Sequence, residues 1–232
     1  MALPKLNEIR YELEIPSSGE KVDYRPFLMK EQKILMIAEE SEDTKQIQKA
    51  FGDIVATCTF GKIDPYKYPL FDLEYIFLQM RSKSVGAKVE LMIPVPDSEE
   101  TVKKTVNLEE VDVVVDEEHT NEIEVQEDVK LVMGYPTLSN MAEVDAVVDN
   151  PSAIFELIKA CIFEIHHGEE IINRVDVSDN ELDEFIDSMN NEQIEGIDKF
   201  FRTMPKLSHT IKFQKDNEKH EVELSGLQSF FG

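Results

Sequence analysis

Basic residues are scarce in this chain. Its 232 residues include 24 Lys and Arg against 48 Asp and Glu, which gives a formal net charge of -24 at pH 7. A chain with this charge and no block of basic residues is repelled by a phosphate backbone and by an anionic membrane surface, because both are negatively charged. We therefore expect neither nucleic acid nor a membrane among its partners.

Long apolar runs and cysteines are also rare. No run approaches the ~18 apolar residues of a membrane-spanning helix, and residues 1–10 contain neither a long apolar segment nor a small-residue cleavage site. We expect no transmembrane helix and no secretory signal. Cys58 and Cys161 are far apart in helical, apolar patterns, which favours buried free thiols in a reducing cytoplasm over a disulfide.

The sequence contains no recognisable catalytic motif. None of its five histidines has a partner at the spacing of a zinc ligand set, and its nine glycines are scattered singly, so no glycine-rich loop exists to bind phosphate. We expect no metal, no cofactor and no catalytic residue. Carboxylates are so abundant that an acid–base pair hidden among them stays an alternative, although a solvated acidic face is the commoner explanation.

Helix and strand patterns divide the chain into three predicted regions. Residues 1–85 predict an N-terminal hairpin followed by three helices, and residues 86–150 predict an acidic module of antiparallel strands. Residues 151–232 predict three helices and a C-terminal hairpin. The predicted fold class is α+β, in which helical regions flank a central antiparallel β module and small hairpins lie near both termini.

Particular helices are predicted from their apolar faces and their ends. A helix over residues 30–40 has an apolar face that includes Ile34 and Ile37 among its charges. A later helix is predicted from Pro151 to about Gly168, which places residues 166–167, two histidines, at its C-terminus, where a cationic imidazole complements the helix dipole. The next helix is predicted to begin with a capping box over residues 178–181.

The acidity is concentrated in the middle of the chain. Residues 97–130 contain 13 acidic residues and three lysines, a local net charge of -10. Charges that alternate with Val and Ile predict a half-exposed sheet with an acidic outer face, which is either solvated or bound to a basic partner. Its candidate partner-binding residues are Asp112, Asp116, Glu117 and Glu118.

Two pairs of adjacent phenylalanines are present, at residues 200–201 and 230–231. The simplest interpretation of both pairs is that they belong to the core. Phe230 and Phe231 lie at the C-terminus, where a partner is an alternative way to cover them. Both are therefore candidate partner-binding residues.

Four segments carry a resemblance that covers nearly the whole chain. They are YRPFLMKEQKILM at 24–36, YIFLQMRSKSVG at 75–86, MGYPT at 133–137 and FFRTMPKL at 200–207. In this order and spacing they resemble a baseplate protein family of T4-like contractile-tailed bacteriophages. Within those phages the resemblance is to the baseplate hub subunit or hub assembly protein.

The resemblance implies a non-enzymatic protein of bacteriophage tail morphogenesis. Such a protein binds other baseplate hub proteins in the cytoplasm of the infected bacterium, either as a transient chaperone or as a structural subunit that stays in the virion tail baseplate. It also leaves open a homo-oligomer. Two alternatives from other classes are a carboxylate-based hydrolase and an acidic mimic of nucleic acid that occupies a DNA-binding protein of the host.

The family resemblance also leads us to expect cysteine pairs near the middle and final hairpin tips of some relatives, as in a zinc ribbon. This chain has no cysteine at 94–100 or 214–219. We therefore expect no structural zinc here, and hairpin tips that are held by packing alone.

Overall fold

The computed structural model of the protein describes residues 7–96, 98–140, 152–215 and 218–231, apart from the side chains of the first two residues of the third range. Helices and small antiparallel sheets follow one another along the chain. The α+β class predicted from the sequence is confirmed.

The α-helices with described bounds are α1 (Met29–Glu40), α2 (Thr44–Cys58), α3 (Leu70–Val85), α4 (Ser152–Cys161), α5 (Asp179–Asp187) and α6 (Asn191–Thr203). The strands are β1 (Tyr11–Glu14), β2 (Lys21–Tyr24), β3 (Lys88–Pro94), β4 (Thr101–Asn107), β5 (Asp112–Val114), β6 (Glu122–Gln126), β7 (Val129–Met133), β8 (Ile162–His167), β9 (Glu170–Asn173), β10 (Lys206–Lys215) and β11 (Glu218–Ser225). Short 3₁₀ helices cover Leu108–Glu110, Arg174–Asp176 and Leu227–Phe230.

The chain forms two compact units. The first unit joins the chain up to Val114 to the chain from Lys206 onward, and the second unit is Val115–Pro205. Strand pairing explains this division, because β5 pairs with β10 of the C-terminal hairpin whereas β6 and β7 form a four-stranded sheet with β8 and β9. The strands predicted as one central β module are therefore divided among three sheets, and the units cut across the three predicted regions.

The core of the first unit is built around α3. Leu73, Ile76, Leu78 and Met80 are all fully buried along this helix, as its nearly apolar sequence indicates. The inner faces of the hairpins β3–β4 and β10–β11 contribute a cluster of buried aliphatic and aromatic side chains, which also includes Leu78.

A buried ion pair fixes the start of α1. The Nη2 atom of Arg25 lies 2.8 Å from Oε1 of Glu31, and both side chains are only 4% exposed. The other carboxylate oxygen of Glu31 accepts the backbone N–H of Leu28 at 2.8 Å. The backbone N–H of Arg25 donates to the carbonyl of Cys58 at 2.9 Å. This pair thus connects the end of β2 with the start of α1 and the end of α2.

The pKa of Glu31 shows that these contacts outweigh burial. Burial alone raises the pKa of this carboxyl, but hydrogen bonds from Arg25 and from the backbone of Leu28 lower it below its usual value. The carboxylate is therefore charged in the folded protein, as the buried guanidinium requires.

The tips of the hairpins β3–β4 and β10–β11 lie side by side. Lys215 of one tip forms an ion pair with Glu100 of the other, and a cleft of about 410 Å³ between the tips is lined by residues of both. Nearby, the Nζ atom of Lys104 lies 5.2 Å from the ring centre of Phe213. The expectation that packing alone holds the tips is therefore wrong, since an ion pair also joins them.

The second unit contains a strand pair that the sequence pattern misassigned. Helix α4 ends at Cys161, and the segment predicted to continue it to about Gly168 is strand β8. Ile162 and Ile165 are buried by the sheet, although their spacing of three also suits a helix face. His166 is therefore in a strand, where its Nε2 lies 2.8 Å from Glu164, and not at a helix C-terminus.

The predicted capping box of α5 is confirmed, and a side-chain cap also begins α2. The side chain of Ser178 accepts the backbone N–H of Glu181, and the Glu181 carboxylate accepts the backbone N–H of Ser178 in return, which completes the capping box of α5. The Asp43 side chain caps α2 by accepting the backbone N–H of Lys45 at 2.9 Å.

His119 is held between aromatic rings in the second unit. Its ring packs at a tilt against the rings of Tyr135 and Phe200, at centroid distances of 5.7 and 5.4 Å. Its Nδ1 lies 3.0 Å from the hydroxyl of Thr203, which itself donates to the carbonyl of Lys199. Thr203 therefore accepts a hydrogen bond from Nδ1–H, and the Tyr135 hydroxyl, 2.9 Å from Nε2, donates a hydrogen bond to the neutral ring. Burial accordingly lowers the pKa of His119.

Replacing Glu31 tests the buried pair. Glu31→Gln removes the carboxylate at 2.8 Å from the buried Arg25 guanidinium and leaves it only the carboxylate of Glu8, at 3.6 Å. We therefore expect the free energy of unfolding in urea to fall by about 3 kcal/mol. The matched control is Glu12→Gln, which removes an exposed partner of Lys21 and is expected to change the urea midpoint little. Equal, small effects of the two substitutions would contradict the assignment.

The pH dependence of stability tests the His119 site. The unfolded chain binds a proton at the usual histidine pKa near 6.5, before the folded chain does. The stability that His119 contributes is therefore present above pH ~6.5 and is lost as the pH falls below it. We expect the thermal midpoint to drop less between pH ~7 and ~5.5 in His119→Asn than in the natural chain. The exposed control His167→Asn should keep the full drop.

Candidate partner-binding surfaces

Asp112 is exposed on strand β5 of the first unit. Its Oδ1 accepts the backbone N–H of Val113 at 2.8 Å, and the strand pairs with β10 opposite Ser208. The side chain therefore faces solvent at a short strand, as a partner-binding carboxylate must.

Asp116, Glu117 and Glu118 are exposed in the loop before β6, in the second unit. Asp116 accepts the backbone N–H of Glu118 at 2.8 Å, and the Glu118 carboxylate lies 2.8 Å from the Nζ atom of Lys199. Among the described residues, Glu117 has no ion-pair partner. These carboxylates belong to a loop, whereas Asp112 belongs to a sheet of the other unit, so the structure does not assemble the four as one sheet face.

The two C-terminal phenylalanines have different environments. Phe230 is fully buried in the first-unit core. Phe231 stays 40% exposed, with the guanidinium carbon of Arg81 at 4.8 Å from its ring centre and the ring of Phe77 at 6.2 Å. Phe230 is thus a core residue, as the simpler interpretation held, and Phe231 is the member of the pair that a partner can reach.

Sequence reasoning missed an exposed apolar face on α1. On the predicted apolar face of this helix, Ile34 and Ile37 are 47% and 66% exposed, whereas Ala38 is buried. Met29 and Met36 are 65% and 52% exposed on the same helix. We define the α1 outer face as these four exposed apolar residues together with the exposed Lys33 and Glu40. The sequence does carry a signal for this face, because α1 has apolar residues at more positions than one side of a helix can bury.

A groove in the second unit was also missed. It has a volume of about 490 Å³ and lies between the four-stranded sheet and the first turns of α5. Its apolar lining consists of Val129, Ile165, Ile172, Val177, Leu182 and Phe185, and its polar edge consists of His167, Asp176 and Glu181. We call it the second-unit groove. It forms only when strands β7, β8 and β9 align beside α5, so no local pattern in the sequence predicts it.

The surroundings of the second-unit groove are acidic. Val129 and His167, which line it, are paired across β7 and β8 at the end where two turns meet. The backbone N–H of Gly168 in one turn donates to the carbonyl of Asp128 in the other at 2.9 Å. The turns carry the exposed carboxylates of Glu127, Asp128, Glu169 and Glu170. Within the described part of the chain, none of these four carboxylates has an ion-pair partner.

The two cysteines are free and buried, as predicted. Burial raises the pKa of Cys58 to about 11 and that of Cys161 to about 12. Both side chains are therefore thiols near neutral pH, and a thiol is a poor nucleophile.

Two carboxyl groups have a raised pKa because they are buried. Asp72 accepts hydrogen bonds from the backbone N–H and the hydroxyl of Ser17, and Glu74 accepts the backbone N–H of Leu227 at 3.4 Å. Neither lines any of the clefts described for this chain. These contacts give both groups a role in packing, and they do not favour the hydrolase alternative.

The described residues contain neither a metal-ligating group nor a membrane-spanning helix. No three His, Cys, Asp or Glu side chains of that part of the chain lie in a group that would hold a metal ion. None of the described helices is long and apolar enough to span a bilayer.

Comparison with known proteins identifies the family. The family model described as T4 bacteriophage base plate protein matches residues 7–232. Curated proteins and solved structures gave no match. Because the family model matches nearly the entire sequence, including all four segments that carry the resemblance, the chain belongs to the T4 bacteriophage base plate protein family.

Proposed function

We propose that this protein acts in assembly of the baseplate hub, by binding other hub proteins and without catalysing a reaction. Family membership supports a structural or assembly role in the baseplate and interaction with other baseplate proteins. The hub as the location, and the cytoplasm of the infected bacterium as the place of assembly, are parts of the proposal.

The second-unit groove is the observation that carries this proposal. Its lining leaves apolar surface of Val129, Ile172 and Phe185 only partly buried. Water contact with such surface is unfavourable, and a side chain from a partner that fills the groove removes it. A groove of this kind, with aliphatic and aromatic walls, suits one large apolar anchor residue.

The charge around the groove specifies the partner further. Asp176 and Glu181 line its edge, and the neighbouring turns add further carboxylates. An apolar anchor flanked by Lys or Arg therefore binds here more favourably than one flanked by acidic residues. The net charge of -24 also speeds the approach of a basic surface and repels acidic ones.

The sequence-predicted residues supplement this surface in the proposal. Asp116, Glu117 and Glu118 add negative charge to the second unit, and Asp112 and Phe231 offer contacts on the first unit. Phe230 is left out because its side chain is fully buried. The same surfaces serve a transient chaperone or a permanent subunit, and detection of the chain in purified virions would assign the second role.

Charge reversal at the groove tests the proposal. The tagged protein is co-expressed with the other baseplate proteins of its phage, and the captured proteins are identified by mass spectrometry. We expect capture of at least one hub protein, and a loss of about tenfold in affinity for Asp176→Lys, because a cation at the groove edge repels the basic partner.

Asp187→Lys is the matched control for this experiment. It makes the same charge change at an exposed position at the other end of α5, so capture should remain near that of the natural chain. Capture of no baseplate protein would contradict the hub-binding function. Equal capture by both variants would contradict the assignment to the groove.

A further inference from the structure

The α1 outer face is a helix surface that the first unit leaves uncovered. Four large apolar side chains on this 12-residue helix are each 47% or more exposed. On the opposite side, the helix packs against α2 and buries Glu31 and Ala38. Exposed apolar surface that is contiguous along one helix side marks a contact with another molecule.

The order of charged and apolar residues along this face restricts which partner can bind it. Met29 and Met36 are separated by seven residues, as are Lys33 and Glu40, so the members of each pair lie on the same side of the helix about two turns apart. The face is therefore basic towards its N-terminal half, apolar in its centre and acidic at its C-terminal end.

A matching helix must present these charges in the reverse order. A second copy of α1 does so when it lies antiparallel to the first. In that arrangement Lys33 of each copy faces Glu40 of the other, and two-fold symmetry forms the contact twice. Met36 of each copy then lies opposite Ile37 of the other, next to the symmetry axis. Among the described residues, neither Lys33 nor Glu40 has an ion-pair partner within its own chain.

We propose that a second copy of this chain docks on the α1 outer face, with the two α1 helices antiparallel. This goes beyond the hub-binding function, because it concerns another partner and a surface of the other unit. A helix of 12 residues is about 18 Å long. A contact of this size buries less than the ~800 Å² per partner of a standard interface, so the dimer is weak and forms with increasing concentration.

Overall repulsion sets the conditions of the measurement. Two copies each carry a net charge of -24, and this repulsion is largely screened at about 0.15 M salt, where the Debye length is about 8 Å. Charges that touch across the interface are screened less. Sedimentation equilibrium of the full chain at this salt concentration should show the mass rising with concentration from 26.7 kDa towards twice that value.

An aspartate on the face tests its location. Ile37→Asp places a charge at the centre of the contact and should weaken the dimer by at least about tenfold. Val175→Asp is the matched control, because Val175 is a 90% exposed β-branched residue of the second unit. It should leave self-association unchanged. Unchanged thermal unfolding of both variants shows that the chain still folds.

Charge exchange tests the antiparallel order. Lys33→Glu and Glu40→Lys should each weaken self-association, since each places like charges opposite one another twice. An equimolar mixture of the two variants should associate more tightly than either alone, because every pair across the mixed dimer is then complementary. The variant with both substitutions should recover the dimer of the natural chain.

The outcomes separate this proposal from the hub-binding function. A natural chain that stays at 26.7 kDa at all concentrations, or a mixture that associates no more tightly than its components, would overturn the antiparallel dimer. If Ile37→Asp abolishes capture of a hub protein while the natural chain is monomeric, the face binds that protein and the dimer is also overturned. If Ile37→Asp is monomeric and still captures the hub protein, both proposals stand.

Discussion

The buried ion pair between Arg25 and Glu31 determines how the first unit presents α1. Glu31 occupies an inward position on this helix, where it meets the guanidinium and the backbone N–H of Leu28. A charged pair at this depth is stable only if both members are present and hydrogen-bonded. The rotation of α1 about its axis is therefore fixed, with Glu31 and Ala38 inside. The side with Met29, Met36 and Ile37 then has to face outward.

In this arrangement the apolar side of α1 is exposed to solvent and does not contribute to the core. Packing alone would favour burying Ile34 and Ile37 rather than a carboxylate, because each buried aliphatic side chain contributes about 1.5–3 kcal/mol. The chain instead buries a charge and exposes the isoleucines. The apolar face is thus kept outside although burying it would enlarge the core. An exposed apolar face of this kind suits a protein that works by contact with other proteins.

The second unit reaches a comparable result by other means. Its sheet is closed on one side by a core that includes Leu131, Ile197 and Phe200, and the groove opens where β7, β8 and β9 extend beside the start of α5. The turns at that end of the sheet are strongly acidic. Their negative charge is tolerated because the carboxylates are exposed to water. Charge and apolar surface are thus combined in one place, which suits the basic, apolar partner that we propose.

Much of the local structure is predictable from the sequence. Local patterns of a few residues predict the structure in three places: the alternation at β1 and β2, the apolar sequence of α3, and the capping box at Ser178. The error at β8 has a physical cause, because Ile162 and Ile165 are spaced by three, which suits a helix, and only the neighbouring strand β7 makes them a strand. The candidate surfaces were less predictable. The number of apolar positions on α1 indicates that some of them stay exposed, but which ones do depends on the contact between Arg25 and Glu31, and the helix period does not report that contact.

One spin-label measurement tests the central claim that the apolar side of α1 faces outward. Ile37→Cys provides a single accessible thiol for the label, since Cys58 and Cys161 are buried. The account predicts a mobile label in dilute solution, and dipolar broadening between copies as the concentration rises. A label that is immobilised at every concentration, without broadening, would show that residue 37 packs within its own chain and would contradict the account.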